Sequence, residues 1–145
     1  MATVIIRKLK PEDAENICKI SEAITPDQAK MDCIRLVEQQ TQENENASFV
    51  AESDGEVVGY MISYSISGIF GIEKSAWVAM FGVIPKFMGQ GVGRMLANEV
   101  FNFHKERGIK DIYTSVRWDS TDLLSFFKTL DFDKSNFINL RKTLE

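Results

Sequence analysis

Cysteine, histidine and proline are scarce in this chain: two, one and three among 145 residues. The two cysteines, Cys18 and Cys33, form no CxxC pair, which removes the usual redox and zinc-ribbon motifs. Both fall on apolar faces of expected helices and read as buried, reduced thiols. The lone histidine, His104, falls on what reads as the exposed side of its helix, so a surface residue is expected. No His/Cys cluster has metal-ligand spacing, and no metal is expected. No apolar run approaches the roughly 20 residues of a membrane span, and nothing resembling a leader precedes the first strand. The expectation is a cytoplasmic protein with no membrane partner. Positive charge is not in excess either. The net charge of -4 argues against a phosphate-tracking surface, and so against nucleic acid.

What is present is an ordinary globular composition, 44% hydrophobic and 26% charged, with no repeat or low-complexity tract. The length fits one domain over residues 1–145. Residues Thr3 to Lys8 alternate like a strand. Pro11, Glu12 and Asp13 suit a helix start, with Ala14, Ile17, Cys18 and Ile20 facing inward. Thr25 and Gln28 have capping-box spacing for a second helix, with Ala29, Cys33, Ile34 and Val37 behind them. An antiparallel meander follows: Ser48 to Glu52, a hairpin turn at Asp54-Gly55, Glu56 to Ile66, a turn over Gly68 to Lys74, and Ala76 to Ile84. After a glycine-rich loop, Val92, Leu96, Val100 and Phe103 mark the core face of a helix that Gly108 ends. Ile112 to Val116 reads as a strand. Asp119 or Ser120 can cap a last helix with Leu123, Leu124, Phe127 and Leu130 inward, and Asn136 to Leu140 reads as a closing strand. The order is β-α-α-β-β-β-α-β-α-β, an α/β fold with a mixed sheet and helices on both faces.

The informative segment is Val83-Ile84-Pro85-Lys86-Phe87-Met88-Gly89-Gln90-Gly91-Val92-Gly93-Arg94. A strand feeds a glycine loop that opens a helix. The first turn of a helix leaves amide N–H groups without intrahelical partners and carries partial positive charge, which suits phosphate. The loop is not a dinucleotide fingerprint: the third glycine of GxGxxG would fall on Arg94 or Leu96. It is not a Walker A loop, because Gly-Lys-Ser/Thr is absent.

On these residues the chain resembles the GNAT superfamily of N-acyltransferases. Gly91 and Gly93 match the two glycines of Q/R-x-x-G-x-G/A, while Met88 departs from the Q/R position. The stretch from Ser120 to Phe132 resembles the family's C-terminal motif, and Ile6-Arg7 followed by Pro11-Glu12-Asp13-Ala14 its opening. The resemblance implies a single-domain N-acetyltransferase that uses acetyl-CoA as co-substrate. The acceptor would be a primary amine of a small molecule or peptide, which attacks directly in a ternary complex. Coenzyme contacts would come from Phe81, Gly82 and Val83; from Met88, Gly89, Gln90, Gly91, Val92, Gly93 and Arg94; and from Ser120, Leu123, Leu124 and Phe127. The strand ending near Val83 would splay from its parallel neighbour, with Gly82 marking a bulge that opens the gap. The Val83 N–H would bond the developing oxyanion. A homodimer, common among relatives, is compatible with the chain.

Two parts of the implied mechanism are missing from their usual places. Relatives carry an acid early on the strand before the glycine loop; here Trp77 stands there. Glu73 is the first substitute as general base and Asp119 the second, though each also reads as a solvated carboxylate or a helix cap. Many relatives protonate the leaving thiolate with a tyrosine; here Phe127 takes that place. These two gaps keep open an alternative, a non-catalytic acyl-CoA-binding regulatory domain. An acyltransferase using a different acyl-CoA is a third reading.

Overall fold

In a computed structural model that describes residues 3–24, 30–42, 46–68 and 73–145, the β-branched opening run becomes β1 (Val4–Lys8). A short 3-10 turn at Pro11–Asp13 leads into α1 (Ala14–Ile24), and α2 covers Lys30–Gln42. The meander follows as β2 (Phe49–Ser53), β3 (Glu56–Ser67) and β4 (Lys74–Val83). A second 3-10 turn, Pro85–Phe87, separates β4 from α3 (Val92–Glu106). Then come β5 (Ile112–Thr114) and α4 (Thr121–Thr129). The Asp54-Gly55 hairpin forms with both residues at positive φ. The expected cap at Thr25 to Gln28 lies outside the described residues, as does most of the Gly68 to Lys74 turn.

The five strands form one sheet in the order β1-β2-β3-β4-β5. The first four run antiparallel and β4 pairs β5 in parallel, which is the mixed sheet expected. Alternation along β3 sorts the two faces. Tyr60 and Ile62 join Ile17, Cys18, Cys33 and Val37 in the core beneath α1 and α2. Gly59 and Ser63 point the other way. A Cβ on Gly59 would stand 3.3 Å from Val92 Cγ1, and the Ser63 hydroxyl lies 2.9 Å from His104 Nε2, both on α3. Each face of the sheet therefore has its own helical cover.

Part-buried ion pairing fixes how the chain enters α1. Arg7 donates to both oxygens of Asp13 at 2.8 Å and to Glu52 at 2.6 Å, while the Lys10 amide also donates to Asp13. Burial pushes the Asp13 carboxyl up, but the Arg7 bonds and the Lys10 N–H together hold it below the usual range. This is the structural content of the Ile6-Arg7…Pro11-Glu12-Asp13 opening.

Several expectations are corrected. Cys18 and Cys33 are buried but joined in a disulfide rather than reduced. The packing of α1 on α2 brings their Cα atoms to 5.9 Å, inside the range a disulfide spans. His104 is 3% exposed, not a surface residue. Asn136 to Leu140 forms no strand. Phe137, Ile138 and Leu140 are exposed, and Asn139 is tied to Ser115 by a side-chain bond of 2.9 Å rather than a backbone ladder. The chain divides into two compact units, Met1–Thr114 and Ser115–Glu145.

Candidate active site

The two halves of β4 have different neighbours. Its pairing with β5 runs from Ala76↔Ile112 to Val78↔Thr114 and stops. β4 continues for five more residues, to Val83, still paired with β3. The register with β3 shifts between Ile62 and Ser63, because Met80 faces the first and Val78 the second. Ala79 is thus the extra residue of a β-bulge.

The bulge decides where backbone groups point. Before it, the Ala76 N–H donates to Asp111 O at 3.1 Å, so the amides of 76 and 78 face β5. After it, the Ile84 N–H donates to Val58 O at 2.9 Å, so those of 80, 82 and 84 face β3. Strict alternation across ten residues would give one answer; the inserted Ala79 reverses it. The amides of Phe81 and Val83 are thereby turned to the edge that extends beyond β5.

Gly82 is not the bulge. Its lack of a side chain makes room for Tyr60 directly opposite: a Cβ there would lie 2.8 Å from the Tyr60 hydroxyl and 2.9 Å from two ring carbons. A glycine in a strand signals either a bulge or a close approach, and here it is the second.

Past Pro85 the chain makes the turn that presents the helix. Met88, Gly89, Gln90 and Gly91 are exposed. Gly91 caps α3 at φ 81°, in the left-handed region, where a β-branched residue is strained. A glycine has no side chain with which to cap, and the first intrahelical bond runs from the Met95 N–H to Gly91 O at 3.0 Å. The amides of Val92, Gly93 and Arg94 thus precede the helix's own ladder. Val92 buries its side chain and has only its amide to offer there. Gln90 Nε2 turns back to Lys86 O at 3.1 Å. Met88 is 56% exposed, while the Met88 amide bonds Pro85 O at 3.1 Å.

The remaining expected residues are distributed less usefully. Glu73 precedes β4 and is exposed; it is ten positions from Val83, on the order of 30 Å along a strand. Glu73 and the Val83 amide, the expected base and the expected oxyanion donor, thus lie at opposite ends of β4. In the second unit, Asp119 lies in a fork with Arg117 at 3.0 and 2.9 Å. That pairing holds its carboxyl below the usual range, which weakens it as a base. It also takes Asp119 from the cap role. Ser120 occupies the cap of α4, but through its carbonyl, which accepts the Leu124 N–H at 2.9 Å, and not through its hydroxyl. Leu123 is half-buried and Leu124, expected inward, is 41% exposed. Phe127 is buried between Phe126 and Phe132, with ring centroids at 5.3 and 5.1 Å.

A mixed sheet whose parallel pair parts midway, followed by a glycine-opened helix, is the framework of the N-acetyltransferase fold. The chain belongs to the Acetyltransferase (GNAT) family, whose profile matches residues 14–132. It is 30% identical over 104 residues to a mycothiol acetyltransferase of Amycolatopsis mediterranei (strain U-32), covering 70% of this chain and 35% of that protein. It is 29% identical over 97 residues to an uncharacterized N-acetyltransferase of Methanocaldococcus jannaschii, covering 66% and 42%. The chain thus spans well under half the length of these two relatives. Among solved structures, aminoglycoside N-acetyltransferase AAC(6')-Iy in complex with CoA superposes with a TM-score of 0.84 over 99% of this chain and 96% of that one, at 17% identity.

Proposed function

We propose that this protein transfers an acetyl group from acetyl-CoA to a primary amine of a small molecule or peptide. The observation that carries this reading is the direction of two backbone segments: the first-turn amides of α3, which precede its ladder, and those of Phe81 and Val83, on the β4 edge that runs beyond β5. The loop fits a diphosphate. Its first-turn amides lie ahead of the helical ladder, the helix dipole favours an anion there, and built Cβ positions on Gly89 and Gly91 meet nothing within 4 Å. Gly89 to Arg94 would hold the diphosphate through main-chain N–H groups, so Met88 in place of Gln or Arg costs little. Arg94 adds positive charge to the first turn. Acetyl-CoA brings the acyl group already activated as a thioester. The chain's part is to grip, orient and stabilise charge, with the Phe81 and Val83 amides along the acyl-bearing arm. An amide N–H at Val83 bonding the carbonyl oxygen as it gains charge is worth about 3–4 kcal/mol of barrier, by analogy with oxyanion donors.

In this reading neither Glu73, at the far end of β4 from Val83, nor Asp119, held in its fork by Arg117, takes the amine's proton. The acceptor therefore reaches its free base by loss of a proton to water, which near pH 7 costs roughly 4–5 kcal/mol for a lysine-like amine. The expected signature is a kcat/KM that rises about tenfold per pH unit toward the acceptor's own pKa, and a Glu73→Gln variant with unchanged turnover. A bell-shaped profile with a carboxylate limb would contradict this.

The same two observations support a second reading, an acyl-CoA-binding regulatory domain. Thiol release measured with a panel of aliphatic, sugar and peptide amines separates the two. Turnover with any amine supports the transferase; calorimetric binding of acetyl-CoA with no turnover across the panel supports the regulator. No binding of acetyl-CoA would remove both.

A further inference from the structure

Tyr60 is 2% exposed, deep beneath α1, yet its hydroxyl end lies against the backbone of β4 at Gly82. The ring crosses from β3 over Gly82, and its hydroxyl is hydrogen-bonded to the Ser21 side chain on α1. Gly82 separates Phe81 from Val83. Glycine has the widest backbone freedom of any residue, so a glycine between two ligand-facing amides would let both swing. The ring that needs the glycine for space also occupies the space into which the backbone would move.

Resting on the reading of the Phe81–Val83 edge as the acyl site, we propose that Tyr60 is a positioning residue of that site: its hydroxyl, anchored by Ser21, bears on Gly82 and fixes the flanking amides. A plain packing role would require only the ring. A positioning role requires the hydroxyl and its anchor. Oxyanion donors tolerate displacements of only about half an ångström or 10–20°, so loss of the anchor should appear in catalysis before it appears in folding.

The test uses the full chain as wild type, Tyr60→Phe and Ser21→Ala. Three quantities are read: the Kd of acetyl-CoA by calorimetry, kcat with one accepted amine, and the infrared carbonyl stretch of bound acetyl-CoA labelled at the thioester carbon. The expected result in both variants is a Kd within about twofold of wild type, a kcat about tenfold lower, and a carbonyl stretch displaced toward its value in water. Ser21→Ala keeps both the ring and the hydroxyl, so it decides the matter if Tyr60→Phe fails to fold. Wild-type kcat and stretch in the variants would overturn the role of Tyr60 alone. A wild-type protein that binds acetyl-CoA with an unshifted stretch would overturn the acyl-site reading, and the role of Tyr60 with it.

Discussion

At its C-terminal end α3 is tied down by every means a helix end has. The Gly108 N–H donates to Lys105 O and the Ile109 N–H to His104 O, at 3.0 and 3.1 Å, the pair of bonds that defines a Schellman motif. The Arg107 guanidinium bonds Phe103 O at 3.0 Å and stands 3.5 Å over the Phe103 ring. His104 reaches across to Ser63 in β3. At its N-terminal end the same helix begins on a glycine at positive φ. A Ser, Thr, Asn or Asp caps a helix from an extended backbone, which Gly91 at φ 81° does not have. One end commits its polar groups to stability; at the other, the first-turn amides precede the helix's own ladder. The contrast extends to β4, which among the described residues is laddered on both sides from Ala76 to Val78 and to β3 alone beyond it.

The contrast breaks most sharply at Gly91. In Gly91→Val a β-branched side chain must adopt φ near +81° or move the loop. Losing two charge-assisted bonds to phosphate, at roughly 1.5–3 kcal/mol each, lowers acetyl-CoA affinity by about 10³-fold. The melting temperature should stay within a few degrees of wild type, because nothing packs on that position. Calorimetry and thermal unfolding on one preparation check both halves; normal affinity would mean the loop is not the grip. Asp13 gives the opposite result. Asp13→Ala strips part-buried Arg7 of two charge-assisted bonds and should cost about 3 kcal/mol in urea unfolding, with acetyl-CoA affinity retained by the folded fraction. Because the Asp13 carboxyl is held below its unfolded value, its contribution is fully present above pH about 4 and is lost as pH falls through the folded value. Wild type should therefore lose stability below pH 4 more steeply than Asp13→Ala does. Equal acid limbs would show that the pair does not contribute.

Periodicity made the framework of the molecule legible. Strand alternation and the 92-96-100-103 spacing are local signals, and every one of those helical positions is buried. The burial of His104 is legible in the same spacing: it follows Val100 by four and Leu96 by eight, so it belongs on the same face. The disulfide was not legible, because two apolar helix faces each carrying a cysteine say nothing of their facing distance. The bulge at Ala79 leaves no trace in composition, while Gly82 carries the usual sign of a bulge for a different reason, the ring of Tyr60. Resemblance alone points to the Phe81 and Val83 amides, and the parity change at Ala79 explains their direction. Adjacency to a strand in sequence fixes which end of the strand a residue occupies, and it puts Glu73 at the start of β4, ten positions before Val83. At the C-terminus, Phe137, Ile138 and Leu140 have the composition of a strand, but composition supplies no pairing partner.

Two smaller perturbations sharpen the contrast from the tied side. The Cys18–Cys33 disulfide closes a loop across a separation of 15 residues, and loops of that length constrain the unfolded chain by about 3 kcal/mol. Partial repacking of two alanines makes about 2–3 kcal/mol the expected loss in Cys18→Ala/Cys33→Ala. An unchanged unfolding midpoint on reduction of wild type would show that the bridge is not formed in solution.

The smallest effect expected is at the far end of α3. The Ser63 hydroxyl serves two groups at once: it donates to Ala47 O and meets His104 Nε2, while the Ser63 N–H donates to Ser48 Oγ at 3.0 Å. Ser63→Ala removes the first two bonds without creating a large void, and a buried hydrogen bond is worth about 0.5–1.5 kcal/mol net. A loss of about 1–2 kcal/mol should follow, with unaltered acetyl-CoA affinity, since α3 spans about 20 Å between His104 and its first turn. If affinity fell along with stability, the two ends would be coupled through the helix. Tying the C-terminus would then be part of how the N-terminal amides are aimed, and α3 would have to be treated as one rigid element of the site.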